Sequence, residues 1–189
     1  MPTNTLKMIR GELTQNYSVK RATWGFSKPA PYSVPVFSIA IETEKQQSIF
    51  PEDQGGSQAP KWSLDVWIKD LNERMLSPGS EFAIPGCYDD FTGVVFTCFF
   101  YDEHEGTVGN LIKIIGREGD LLDLLIEGEI SDADASMPPT RMVVEGRLTR
   151  LSPHPEIDAQ FCRDMLPPHE PPYGAMYSPP DADELTGQH

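Results

Sequence analysis

Apolar and polar residues alternate with a period of two over several short stretches of the chain, the spacing of a strand with one buried face. In "VFSIAIETE", residues 36–44, Phe37, Ile39 and Ile41 fall on one side, with Ser38, Ala40 and Glu42 on the other. "WSLDVWIKD", residues 62–70, sets Trp62, Leu64, Val66 and Ile68 inward and Ser63, Asp65 and Lys69 outward. Trp67 breaks the outer polarity, so it is expected either to be covered by a neighbouring segment, which the Pro-rich stretches favour, or to be displayed for a partner. Residues 120–130 repeat the pattern with Leu122, Leu124, Ile126 and Ile130 inward, and residues 141–151 with Met142, Val144 and Leu148. Gly128 and Gly146 occupy inward positions, where a missing side chain permits a bulge or a close backbone approach.

Residues 6–14 read as a first strand with imperfect alternation. The following "NYSVKRATWGFSKPAPYSVP" holds three prolines and turn formers, and is expected to be extended but irregular. Residues 91–101 are apolar on both faces, which suits a central strand. "GREGD" then joins two strands as a hairpin. Residues 49–60, "IFPEDQGGSQAP", read as a loop between strands, and "LNERML" as a helical turn.

One helix is expected near the C-terminus. Ile157, Phe161 and Met165 recur four apart, Pro155 opens the segment and Pro167 stops it. The remaining tail is rich in proline, and its Tyr173, Met176 and Tyr177 point to partial docking on the body. The expectation is therefore a mainly β protein: an antiparallel sandwich or partly open barrel over residues 1–166, with one C-terminal helix, followed by an irregular Pro-rich tail over 167–189.

Charge changes the picture. The 189 residues carry a formal net charge of −14. Residues 1–80 hold nine Lys/Arg against eight Asp/Glu, a balance of +1, and residues 81–189 hold six against twenty-one, a balance of −15. Such a field disfavours nucleic acid and anionic membrane and favours a basic protein. The carboxylates fall at connections between expected strands: Asp89 and Asp90, then Asp102, Glu103 and Glu105, then Glu118 and Asp120, then Asp132 and Asp134. Tyr88, Phe91 and Tyr101 are interleaved with them, a mixture suited to an interface.

Candidate chemistry narrows little. His104 stands among Asp102, Glu103 and Glu105, but neighbours on an extended chain point to opposite sides and do not converge on one ion. No HExxH, DxDxDG or glycine-rich phosphate loop is present, so neither a metal nor another cofactor is expected. Cys87 would need His104 and Asp89 or Asp90 beside it to act as a nucleophile. Cys98 and Cys162 read as core residues, and three cysteines without a CxxC fit reduced thiols in a cytoplasm.

These observations converge on a non-enzymatic, cytoplasmic binding protein. The expected contact residues are Tyr88, Asp89, Asp90, Tyr101, Asp102, Glu103, His104, Glu105, Glu118 and Asp120, and the expected partner is a basic protein that they mask, as an immunity protein masks a toxin. The alternative is an enzyme or small-ligand carrier with a pocket at an open end of the sheet, lined by Trp62, Trp67, Phe96 or Phe99.

Overall fold

The structure is a computed structural model that describes residues 4–27, 36–67, 72–87, 97–101, 104–131, 139–151 and 176–178. Its strands are β1 (Thr5–Arg10), β2 (Leu13–Ser27), β3 (Val36–Thr43), β4 (Gln46–Gln47), β5 (Ser57–Gln58), β6 (Lys61–Trp67), β7 (Glu81–Ile84), β8 (Thr97–Phe100), β9 (His104–Glu118), β10 (Leu121–Ser131), β11 (Thr140–Arg150) and β12 (Met176–Ser178).

Eight of them, β1, β2, β3, β6, β8, β9, β10 and β11, pair in chain order, and β11 returns to β1 to close the ring. The architecture is thus a closed antiparallel barrel, where the sequence pattern left a sandwich or a partly open barrel. Closure removes both sheet edges, and a barrel of eight strands is narrow enough for side chains to fill. Trp24, Trp62, Tyr17, Phe37, Phe82 and Phe99 are fully buried, joined by Leu6, Met8, Ile39, Ile41, Leu122, Leu124, Met142 and Val144.

Local chemistry explains two tight reversals. Gly11 and Gly119 each take the first turn position at φ of +60°, the backbone that a two-residue hairpin with glycine first demands. Gly11 therefore cuts the expected first strand into β1 and the start of β2. The expected hairpin at "GREGD" stands as β9 and β10.

β2 corrects the expectation of irregular chain over most of its length. It runs fifteen residues, and a register shift between Val19 and Arg21 re-phases its inward face. Tyr17 lies inside before the shift and Trp24 after it, so one strand shows no continuous alternation. β9 likewise begins at His104, placing His104 and Glu105 in a strand. Across β9 and β10 the register shifts between Glu127 and Glu129, where Gly128 leaves the room that Asn110 enters.

Glu73–Leu76 forms the expected helical turn, a 3-10 turn capped by the Asn72 side chain. Cys98, expected in the core, is instead half-buried, with the buried Thr97 and Phe99 on either side. The expected helix over 155–166, Cys162 and the side chain of Trp67 lie outside the described residues. In the tail, β12 pairs with β7.

Candidate functional site

The two ends of the barrel treat their charges differently. At the first, β1 turns into β2, β8 leads to β9, and residues 44–60 connect β3 to β6. This last connection is the expected loop, and it folds over the barrel mouth as a small hairpin of β4 and β5 around a 3-10 turn, Pro51–Asp53. Phe50 drives it down, for it is fully buried.

Polar groups latch the hairpin. The Gln15 amide donates from Nε2 to the Gln47 carbonyl at 2.9 Å and accepts the Ile49 N–H at 2.9 Å. Arg10, only 5% exposed, donates from Nε to Thr140 Oγ1 at 2.9 Å and pairs with Glu52 at 3.3 Å. Its guanidinium lies over the Phe50 ring, 4.5 Å from the centroid. A charge so buried requires partners of this kind.

Beside it the Tyr101 hydroxyl donates to the Asp53 carboxylate and stands 3.2 Å from both Ser48 Oγ and the Tyr17 hydroxyl. Burial raises the Tyr101 phenol above its ordinary value, and the bond to Asp53 adds to the rise. Burial raises Tyr17 too, against hydrogen bonds from Tyr101 and Ser48 that lower it. These hydroxyls are proton donors tied into a closed network, which is the chemistry of a latch.

At the opposite end the expected contact residues Glu118 and Asp120 are well exposed but paired. Glu118 meets Arg147 at 3.5 Å and Asp120 meets Arg150 at 3.4 Å. Arg147 also grips Asp123 with Nε at 2.7 Å and Nη2 at 2.9 Å, a fork that holds the Asp123 carboxyl below its usual range. Trp24 donates its indole N–H to the Asp120 carbonyl at 3.0 Å, with the Arg117 and Arg150 guanidinium groups 5.9 and 5.3 Å from its ring.

Among the described residues, fifteen acids face twelve bases, a balance of −3 out of the −14. The other −11 belongs to segments outside the description. No family model, curated protein or solved structure matches the chain.

Of the expected contact residues, Glu105, Glu118 and Asp120 are described in full. Tyr101 is buried at 4% exposure and faces the latch, so it is removed from the surface set. The periodicity could not show this, because Tyr101 sits where the chain leaves β8 and its hydroxyl partners come from β2 and the 44–60 hairpin. Tyr88, Asp89, Asp90, Asp102 and Glu103 lie outside the described residues, as does the His104 side chain.

Cys87 is half-buried, its carbonyl accepts the Thr97 N–H at 3.2 Å, and its thiol fills the space above Gly106. Among the described residues no group of three or more His, Cys, Asp or Glu side chains could hold a metal ion, and no helix is long and apolar enough to cross a membrane.

Of the residues expected to line a ligand pocket, Trp62 and Phe99 are buried in the core, where Trp62 donates to Thr107 Oγ1 at 2.9 Å. A groove of about 360 Å³ runs along strands β3, β6 and β8, bordered by Ala40, Trp62, Ser63, Cys98 and Phe100, so Trp62 also contributes to its wall. Burial pushes the Cys98 thiol up, away from the reactive thiolate.

Proposed function

We propose that the chain is a non-enzymatic acidic binding protein of the cytoplasm that masks a basic protein partner, in the manner of an immunity-type inhibitor of a toxin or effector. The observation that carries this reading is the partition of charge. The described barrel holds only −3, and its acids at the β9–β10 turn are answered by arginines. The remaining −11 belongs to residues outside the described ones, among them Asp89, Asp90, Asp102 and Glu103.

A closed, side-chain-filled barrel is a rigid carrier for such segments. Their charge would steer a cationic surface into contact and make association fast and sensitive to salt. Glu105 continues the same acidic run of the sequence into β9, and Glu118 and Asp120 are paired with Arg147 and Arg150.

The test begins with capture of the partner from the native host at low salt, followed by association kinetics between roughly 50 and 500 mM NaCl. The on-rate should fall by about ten-fold or more across that range. Replacing Asp89, Asp90, Asp102 and Glu103 with their amides should lower the on-rate while leaving the fold intact. A salt-independent rate, or a partner without a cationic face, would overturn the reading.

A further inference from the structure

Two of the three cysteines, Cys87 and Cys98, are brought together on the outer wall of the barrel. β8 and β9 pair at Phe99 with Glu105 and at Phe100 with His104. Two residues before Phe99, the Thr97 hydroxyl accepts the Thr107 N–H at 3.0 Å and donates to the Thr107 carbonyl at 2.8 Å. Cys98 and Gly106 lie between these contacts and so stand opposite one another. Thr97, Phe99 and Thr107 are buried inward, which turns the Cys98 side chain and the open side of Gly106 outward.

Cys87 takes the place that a side chain on Gly106 would fill. A Cβ on Gly106 would stand 2.6 Å from Cys87 Cβ and 2.7 Å from its Sγ, and the Cys87 carbonyl accepts the Thr97 N–H at 3.2 Å. Residues directly opposite on antiparallel strands hold their Cβ atoms about 4.5–5.5 Å apart, and a disulfide needs about 3.5–4.5 Å. Cys87 is therefore in effect the cross-strand neighbour of Cys98, a small side-chain adjustment from bonding distance. Both thiols are half-buried, so a small oxidant reaches them.

We infer that Cys87 and Cys98 form a redox-sensitive modification site, a thiol pair that a hydroperoxide converts to an intramolecular disulfide. The Cys87 sulfur, as thiolate, attacks one peroxide oxygen, the O–O bond breaks, and the departing oxygen takes up a proton and leaves as water or alcohol. Cys87 is left as a sulfenic acid, oxidised by the two electrons that reduce the peroxide. The Cys98 sulfur then attacks the Cys87 sulfur, the S–O bond breaks, and the hydroxide leaves with the Cys98 proton as water. Burial raises the Cys98 thiol, which suits it to this second step better than to the attack on the oxidant.

The bond closes residues 87–98 into a covalent ring that includes Asp89 and Asp90. This chemistry needs no partner, which separates it from the charge-led association proposed above.

The test treats the reduced full chain with hydrogen peroxide, caps the remaining thiols with iodoacetamide and maps disulfides by mass spectrometry of non-reduced peptides. The link between Cys87 and Cys98 should be the main product, formed in the monomer and reversed by dithiothreitol. Cys98→Ser should stop at a sulfenic acid on Cys87 that dimedone captures. Gly106→Ala keeps both thiols but displaces the Cys87 side chain, and should slow the link by about ten-fold or more. A link from either cysteine to Cys162 in equal or greater yield, sulfinic acid on Cys87 without any link, or a mainly intermolecular disulfide would overturn the inference. So would an unchanged rate in Gly106→Ala that folds normally by its thermal transition. If Gly106→Ala does not fold, the disulfide map of the unsubstituted chain decides alone.

Discussion

Tyr17 on β2 and Tyr101 at the end of β8, eighty-four residues apart, meet hydroxyl to hydroxyl at 3.2 Å beneath the hairpin that closes one end of the barrel. Tyr101 is the hub, since Asp53 and Ser48 of that hairpin also converge on its oxygen. Tyr101→Phe should therefore destabilise the protein by about 1–3 kcal/mol, the cost of buried partners left unsatisfied. Urea unfolding would measure it. The Tyr17→Phe/Tyr101→Phe double variant should lose less than the sum of the single losses, because the two share one network.

The same pair sets an alkaline limit. Both phenols are raised in the folded protein above an ordinary value of 10.0. Above that value the unfolded chain releases protons that the folded chain retains, so folding stability falls as pH rises. Their contribution is fully present below about pH 10 and is lost progressively above it. Absorbance at the phenolate band should show two of the six tyrosines un-ionised until the alkaline unfolding transition. Tyr101→Phe should flatten the decline.

Phe50 holds the hairpin down by burial, with the Arg10 guanidinium above its ring. Phe50→Ala should cost roughly 3–5 kcal/mol, in the range for truncating a buried aromatic. The loss should be local at first: amide exchange over residues 46–58 should accelerate while β10 and β11 keep their protection. Uniform acceleration throughout the barrel would contradict the hairpin's role as a separable plug.

Gly128 has no room for a side chain. A Cβ there would stand 2.5 Å from Asn110 Oδ1, a buried oxygen with no hydrogen-bond partner among the described residues. Gly128→Ala should destabilise by about 1–3 kcal/mol through overpacking. Adding Asn110→Ser, which withdraws that oxygen, should recover part of the loss. Thermal unfolding of the single and double variants would check both steps.

Asp123 and Arg147 provide an acid-side marker. The forked hydrogen bond from Arg147 lowers the Asp123 carboxyl below 3.8, so its contribution is present above that value and is lost as pH falls through the lowered one. Arg147→Ala should return the Asp123 carboxyl resonance to an ordinary titration, and an NMR titration below about pH 5 would show it.

The alternation of residues 36–44, 62–66, 120–130 and 141–151 was sufficient to identify strands β3, β6, β10 and β11 and the buried face of each. It did so because a half-buried strand repeats every two residues whatever it pairs with. β2 was hidden by its bulge, since one extra residue moves the inward set to the other parity. β7 and β12 were hidden by brevity: four and three residues are too few to establish a period, and prolines flank the second.

Charge was legible in the sequence as an amount and as an asymmetry between the two parts of the chain. Which carboxylates are answered was decided by tertiary structure, because Arg147 and Arg150 come from β11 to reach Glu118, Asp123 and Asp120 on β9, β10 and the turn between them. Tyr101 shows the same division. The residues that follow it in sequence are acids, and its physical neighbours are a tyrosine, a serine and an aspartate brought from 84, 53 and 48 residues away. The sequence by itself determined a β-rich chain, the inward rows of its strands and a surplus of negative charge, all of them local or additive properties. Closure of the ring, the plug over one end and the strand on the edge of β7 depend on which distant segments meet, and only the folded backbone decides that.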